Sequence, residues 1–256
     1  MAAIKFVETN SARWHNRYRR FLAWGMAKAT EADEQTIQLQ DCSDYATMAD
    51  LKQSLLGHLQ GNVLEIGPGA GTNLAYFSPD IHWIGVEPNL FTHPYIRQEA
   101  ERHGLKDIDL YGQQAEQLPV EDGTLDAVVS TYVLCSVTDI DATLTDIQRV
   151  LKPGGKFVFM EHVAATDDTC TRTVQDGITP IWKTVFDHCH PNRKIWVNLE
   201  SAGFATVDYQ TFRLSVPVVS PHIAGVATRA SIDPETELVH SQRQSRQPIS
   251  GDIHDI

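Results

Sequence analysis

The sequence predicts an α/β fold in which a mostly parallel sheet carries helices on both faces. Three observations predict it. Short apolar runs of strand length recur between residues 62 and 160, stretches with apolar residues three and four apart stand between them, and the first run ends in a turn with glycines at 67, 69 and 71. Strands alternating with helices pair in parallel, because each crossover must return over the sheet. Met48, Leu51, Leu55 and Leu59 share one face of a helix within residues 45–60, which leads into the first strand, Asn62-Val-Leu64. Ile81-His-Trp-Ile-Gly-Val86 is the second strand and ends in Glu87. After the break at Pro94, Tyr95 to His103 reads as a helix and Ile108-Asp-Leu-Tyr111 as the third strand. Leu125 to Thr131 is the fourth. Thr138 and Asp141 then fit a capping box, followed by a helical stripe of Ile140, Leu144, Ile147 and Leu151. Pro153-Gly-Gly155 stops this helix and turns the chain into a fifth strand, Lys156 to Met160.

At 256 residues with 42% hydrophobic content, the chain can fill the core of one large α/β domain with additions. The expected division is an N-terminal helical extension or lid over residues 1–44, the main domain over 45–230, and a polar tail over 231–256. The tail is rich in Gln, Ser, Asp and His, a composition that buries little surface, so it is expected to be disordered. Lys and Arg total 21 against 33 Asp and Glu, a net charge of −12 that opposes binding to phosphate backbones. Nucleic acid is therefore not an expected substrate. The four cysteines, 42, 135, 170 and 189, are widely spaced with no C-x-x-C pair, so neither a disulfide framework nor a zinc ribbon is expected, and a reducing cytoplasm fits. No apolar stretch has the length of a membrane span, and the N-terminus lacks the apolar core of a signal peptide. The arginines and aromatics of residues 13–24 are expected on a lid helix, with peripheral contact to an anionic membrane surface as the alternative.

The glycine-rich turn is the chemically informative segment. Closely spaced glycines let the backbone turn sharply and approach a ligand with no Cβ between, and free amides at the start of the next helix form an electropositive floor. An adenosine-type cofactor is expected. The dinucleotide fingerprint G-x-G-x-x-G needs a third glycine at 72, which is Thr, and this spacing argues against a nicotinamide dinucleotide. Glu87, at the end of the second strand, is placed to accept both hydroxyls of a ribose.

With these pieces in order (Glu65-x-Gly-x-Gly-x-Gly71, Gly85-Val-Glu-Pro-Asn89, Gln114-Ala-Glu-Gln-Leu-Pro119, Leu125-Asp-Ala-Val-Val129 and Leu151-Lys-Pro-Gly-Gly155), the chain resembles class I S-adenosylmethionine-dependent methyltransferases. The resemblance implies a Rossmann-like sheet of seven strands, the last two antiparallel over about 205–213 and 218–228. It implies S-adenosylmethionine as cofactor and S-adenosylhomocysteine as product. By position, Gly67, Pro68 and Gly69 contact the methionine half, with Glu65, Gly71 and Asn73 completing the turn. Glu87 holds the ribose and Pro88 flanks the adenine. Gln114, Ala115 and Glu116 border the base, and Thr131 and Tyr132 line the sulfonium side.

The acceptor is expected to be a small molecule. Thr131-Tyr-Val-Leu-Cys-Ser-Val137, Glu161-His-Val163, Pro180-Ile-Trp-Lys183, Asp187-His-Cys189, Arg193, Trp196 to Phe204 and Pro221-His-Ile-x-Gly225 look like the alkyl thiol S-methyltransferases of animal microsomes. A thiol with a pKa of roughly 8.5 is already partly ionised near neutrality and needs little activation. The membrane anchor of those enzymes has no counterpart at this N-terminus, so membrane attachment does not carry over. Segments 114–119 and 151–155 also resemble quinone-biosynthesis C-methyltransferases, which leaves a quinone, phenol or lipid acceptor as the alternative. A noncatalytic cofactor-binding module is a further reading. His162 is the first candidate to accept or steer an acceptor proton, with Asp187 and Tyr132 beside it. His188-Cys-His190 does not have metal-ligand spacing, so no metal is expected, and Cys135, in an apolar run, is expected to be a buried packing residue.

Overall fold

A computed structural model of the protein describes residues 10–29 and 34–231. Residues 232–256, nearly all of the tail expected to be disordered, lie outside the described residues. The seven strands are β1 (Asn62–Ile66), β2 (His82–Val86), β3 (Ile108–Tyr111), β4 (Leu125–Thr131), β5 (Leu151–His162), β6 (Thr206–Arg213) and β7 (Pro221–Thr228). They form one sheet in the order β3-β2-β1-β4-β5-β7-β6. β1 to β5 pair in parallel, and β7 runs antiparallel to both β5 and β6. The Rossmann-like sheet and its closing antiparallel pair are as expected.

Register places the chemistry. Ile66 pairs with Val86 on one side and Ser130 on the other, and Thr131 pairs with Met160. Gly67, Glu87, Tyr132 and His162 therefore emerge along one edge of the sheet. The strand order reverses between β1 and β4, which opens the crevice where ligands of such sheets bind.

Both faces are covered, so the central strands are almost wholly apolar. On one face Leu64, Val128, Phe157 and Phe159 pack under α4 (Ile140–Val150) and α6 (Ile195–Ser201), through Leu144, Ile147 and Leu199. On the other face Val63, Trp83, Val129 and Val158 meet Leu56 of α2 (Met48–Leu56) and Ile96 of α3 (His93–Arg102). A third cluster joins Met48 and Leu51 to Met160, Phe212 and Ala224, with Ile37 and Leu39 packed against it.

Three local expectations are corrected. α4 is capped by Asp139, whose side chain accepts from the Ala142 amide at 3.0 Å, and not by Thr138. The Thr138 amide is taken by Glu116 Oε1 at 2.8 Å, which holds this residue outside the helix. The element after the glycine turn is a single 3₁₀ turn, Thr72–Ala75, and no long helix starts there. The expected break at residue 44 is not a structural boundary. Gln40 exchanges backbone hydrogen bonds with Arg213, and Leu39 donates to Ala46, so residues 37–40 are stitched to the sheet domain. The N-terminal helix is α1 (Asn10–Ala29). A further helix, α5 (Cys170–Val185), carries Pro180 in its interior.

Candidate functional site

The turn after β1 is built on a buried carboxylate. Glu65, 1% exposed, accepts from Asn73 Nδ2 at 2.8 Å and Trp83 Nε1 at 3.1 Å, and Asn73 Nδ2 also reaches Thr131 Oγ1 at 2.9 Å. Burial pushes the Glu65 carboxyl up to about 7, against the pull of these donors. Glu65 and Asn73 thus clamp the turn from beneath. Asn73 Oδ1 is buried without a partner. Gly67, Gly69 and Gly71 have φ of 59°, 58° and 91°. A Cβ on Gly67 would lie 2.5 Å from Val133 Cγ2, so the turn and the β4 exit pack too closely for any side chain there. A Cβ on Gly69 would meet only Met26 Sδ, at 3.4 Å, so this glycine opens toward α1.

Glu87 closes the crevice from β2. Its carboxylate, 7% exposed, accepts from the amides of Gly69 at 3.1 Å and Asn89 at 2.7 Å. Burial raises it to about 7, with the Asp187 charge adding a smaller push in the same direction. Pro88 beside it is half-buried, Ala115 is buried and Gln114 is exposed. The Glu116 carboxylate is committed to Thr138. Helix α1 lies across this side: Asn89 Nδ2 donates to the Arg19 carbonyl at 3.1 Å, the Arg20 guanidinium sits 5.2 Å over the Phe91 ring, and the Tyr18 hydroxyl donates to the Val185 carbonyl.

Tyr132 and His162, expected on the acceptor side, lie together at the ends of β4 and β5. Tyr132 has φ of 60°, and its amide donates to the Met160 carbonyl at 2.9 Å. This left-handed step folds its ring against His162, centroids 6.4 Å apart, and edge-on to His222 at 5.5 Å. Glu161 is fully buried and accepts from Ser130 Oγ at 2.7 Å and from the amides of Val133 and Leu134 at 3.1 and 3.2 Å, fastening the β4 exit to β5. His162 is buried with Nε2 3.1 Å from Cys189 Sγ, while its Nδ1 has no partner. Cys135 Sγ lies 3.5 Å from the Tyr132 carbonyl and from Ser136 Oγ, and its closeness to Cys189 raises the Cys135 pKa and lowers that of Cys189, with His162 adding to the latter effect. His222 is pushed down to about 4 by burial and stays a neutral imidazole.

Asp187 does not join this group. Asp187 and His188 have φ of 44° and 65°, and two successive left-handed residues reverse the chain so that both side chains face outward and Cys189 turns in. Asp187 lies instead where its charge acts on Tyr18 and Glu87. Sequence reasoning placed Cys189, Glu161 and His222 within segments that carry the resemblance but gave these residues no role, and read Cys135 as packing alone. The burial of Cys135 is as expected, but its sulfur faces His162 and Cys189.

Comparison with known proteins matches residues 64–159 to a methyltransferase domain. Thiol S-methyltransferase TMT1A of Homo sapiens is 36% identical over 196 residues, covering 71% of this chain and 80% of that protein. Thiol S-methyltransferase TMT1B of Rattus norvegicus is 31% identical over 222 residues, covering 84% and 89%. Among solved structures, YcgJ of Bacillus subtilis superposes with a TM-score of 0.56 at 14% identity over 72% of this chain and 98% of that one. The [4+2]-cyclase SpnF superposes with a TM-score of 0.63 at 16% identity over 91% and 100%. These two likenesses show the fold alone.

Proposed function

Because the chain belongs to the S-adenosylmethionine-dependent methyltransferases, we propose that its acceptor is a small thiol, methylated on sulfur. One observation carries this reading: the likeness to the thiol S-methyltransferases spans 196 to 222 residues, far beyond the cofactor half at 64–159, and so takes in elements that build the acceptor side. The site fits the cofactor: Glu87 presents a buried carboxylate at the crevice, and Gly69 leaves room above the turn for a ligand under α1.

When bound, S-adenosylmethionine supplies a methyl group on a positively charged sulfur. Glu87 accepts the ribose hydroxyls, Gly67, Pro68 and Gly69 receive the methionine half along their backbone, and Glu65, Asn73 and Gly71 hold that turn in shape. Pro88 and Ala115 flank the base, with Gln114 and Glu116 at its rim. Thr131 and Tyr132 border the sulfur. Tyr132 and His162 form the wall against which the acceptor is aligned, and alignment with exclusion of water is most of what methyl transfer requires of a protein. Helix α1 serves as a lid through Met26 and Arg19, and Asp187 belongs to its closure.

No helix of the described residues is long and apolar enough to cross a membrane. Phe21 and Trp24 are 63% and 52% exposed on α1, which supports peripheral contact with a lipid surface as a second use of that helix. The four free cysteines fit a cytoplasmic setting.

Transfer of a labelled methyl group from S-adenosylmethionine to a panel of small thiols, phenols, quinols and amines, read by mass spectrometry, tests the reading. Thioether products support it. Methylation confined to oxygen, carbon or nitrogen discards the thiol and keeps the family.

A further inference from the structure

Three soft ligand atoms from distant parts of the chain converge beside Tyr132. We propose that Cys135 Sγ, Cys189 Sγ and His162 Nε2 form a site for a thiophilic divalent cation of the zinc class, whose fourth position takes the acceptor's sulfur. The second half of this proposal rests on the thiol reading above.

The ligand atoms of the three residues all lie within 4.8 Å of one another, with His162 Nε2 and Cys189 Sγ at 3.1 Å. Tetrahedral zinc, with bonds of about 2.3 Å to sulfur and about 2.0 Å to nitrogen, sets its ligand atoms roughly 3.5 to 4 Å apart, so small side-chain adjustments suffice. All three residues are buried. Two thiolates and a neutral imidazole around a dication carry no net charge, which removes the main penalty of burying the sulfurs as thiolates.

The frame around the group is fixed without a cation. The His190 amide donates to the Cys135 carbonyl at 2.9 Å, which ties the loop after β4 to the loop after α5. Arg193 Nη1 donates to the carbonyls of Leu134 at 2.6 Å and Val137 at 3.0 Å, closing the same junction from the other side. Glu161 fastens the Val133 and Leu134 amides to β5, next to His162. The buried indole N–H of Trp182 faces Cys189 without completing a hydrogen bond, and is available to a metal-bound thiolate.

Among the described residues no fourth His, Cys, Asp or Glu completes the set. Three protein ligands and one open position is the arrangement of zinc sites that take an exogenous ligand. A thiol entering that position forms a metal–sulfur bond and releases its S–H proton to solvent. The bound thiolate retains a lone pair for nucleophilic use. Tyr132, whose ring stacks on His162 at 6.4 Å and remains 36% exposed, borders the group.

The test is titration of the phosphine-reduced full-length protein with cobalt(II), read by thiolate-to-cobalt charge-transfer absorption. One equivalent should bring up the band. Cys135→Ser and Cys189→Ser should lose it, whereas Cys42→Ser and Cys170→Ser should keep it. A small alkyl thiol should then shift the band. No band at stoichiometric cobalt, a band surviving Cys189→Ser, or a band indifferent to the thiol overturns the proposal. If a serine variant fails to fold, zinc-dependent protection of the wild type against thermal unfolding, lost in Cys135→Ala, reads the same site, and its absence from the wild type counts against the proposal. Thioether formation at full rate after the cation is stripped likewise overturns the proposal while the thiol reading stands. A thiol-shifted band with no thioether formed supports the site and counts against the thiol reading.

Discussion

With Glu87 as the proposed ribose acceptor, cofactor affinity should depend on pH, and the size of the effect follows from the surroundings of its carboxylate. Burial raises its carboxyl from 4.5 to about 7 in the unliganded protein, although it accepts two backbone amides. Ribose hydroxyls donate to an ionised carboxylate, so binding selects the deprotonated form. Below pH 7 the protein must first release a proton, and S-adenosylhomocysteine affinity should fall about tenfold from pH 8 to 6 and about a hundredfold from pH 8 to 5, at roughly 1.4 kcal/mol per factor of ten. Glu87→Gln should bind weakly with no such slope. Stability moves the opposite way. Between pH 4.5 and 7 the folded protein holds a proton that the unfolded chain has already released, so unliganded stability falls as pH rises through that window, by on the order of 3 kcal/mol for this group. Glu65 is also raised to about 7, chiefly by burial and only in small part by the Glu87 charge, so most of its contribution is common to both proteins and the difference between them reports mainly Glu87. Calorimetric titration with S-adenosylhomocysteine at pH 5, 6, 7 and 8, with urea unfolding of wild type and Glu87→Gln at the same values, gives both readouts. Parallel profiles for the two proteins would refute the reasoning.

Gly67→Ala combines a left-handed φ of 59° with a Cβ 2.5 Å from Val133 Cγ2, and should cost roughly 2–4 kcal/mol in thermal or urea unfolding. Adding Val133→Ala should recover the steric part and leave about 1–2 kcal/mol of backbone cost. Asn73→Ala removes the side chain that bonds both Glu65 and Thr131, leaving the buried carboxylate to Trp83 alone; a loss of about 2–3 kcal/mol and weaker S-adenosylhomocysteine binding are expected from the same melts and calorimetry. Removing residues 1–33 takes away α1 but spares the Gln38 and Gln40 bridges, and should weaken S-adenosylhomocysteine about tenfold with little change in the melting of the sheet domain. Unchanged affinity and turnover would sink the lid.

The parts of the fold legible in the sequence are those set by short-range rules. β1, β2, β4 and the core of β5 are apolar runs bounded by glycine, proline or polar residues, and parallel pairing then follows from the helices between them. Glu87 was legible because its place at the end of a strand is a statement about one strand alone. The α4 cap was misplaced by one residue, since Thr138 and Asp139 are both good caps and only the Glu116 carboxylate, from another loop, decides between them. Residues 37–40 read as extension because their partners, Thr47 and Arg213, include one far along the chain.

The acceptor side shows why the remainder was hidden. Position 187 looked promising because it lies in the region after the fifth strand that usually caps the acceptor pocket, yet the two left-handed residues at 187 and 188 send their side chains out and the next cysteine in. Polarity in sequence does not report which way a reversed chain presents its side chains. Cys135, His162 and Cys189 lie on three separate segments and have no ligand spacing; what brings them together is a set of bonds to main chain, from His190, Arg193 and Glu161, that no side-chain pattern records. The same bonds bear on the chemistry. Replacing Arg193 with Lys keeps a positive charge but removes the planar donor pair that spans Leu134 and Val137. Arg193→Lys should therefore leave S-adenosylhomocysteine binding intact while depressing thiol methylation, because the junction that holds Cys135 against Cys189 loosens and the cofactor crevice does not. Equal loss of both activities would place Arg193 in general stability instead of in the acceptor side.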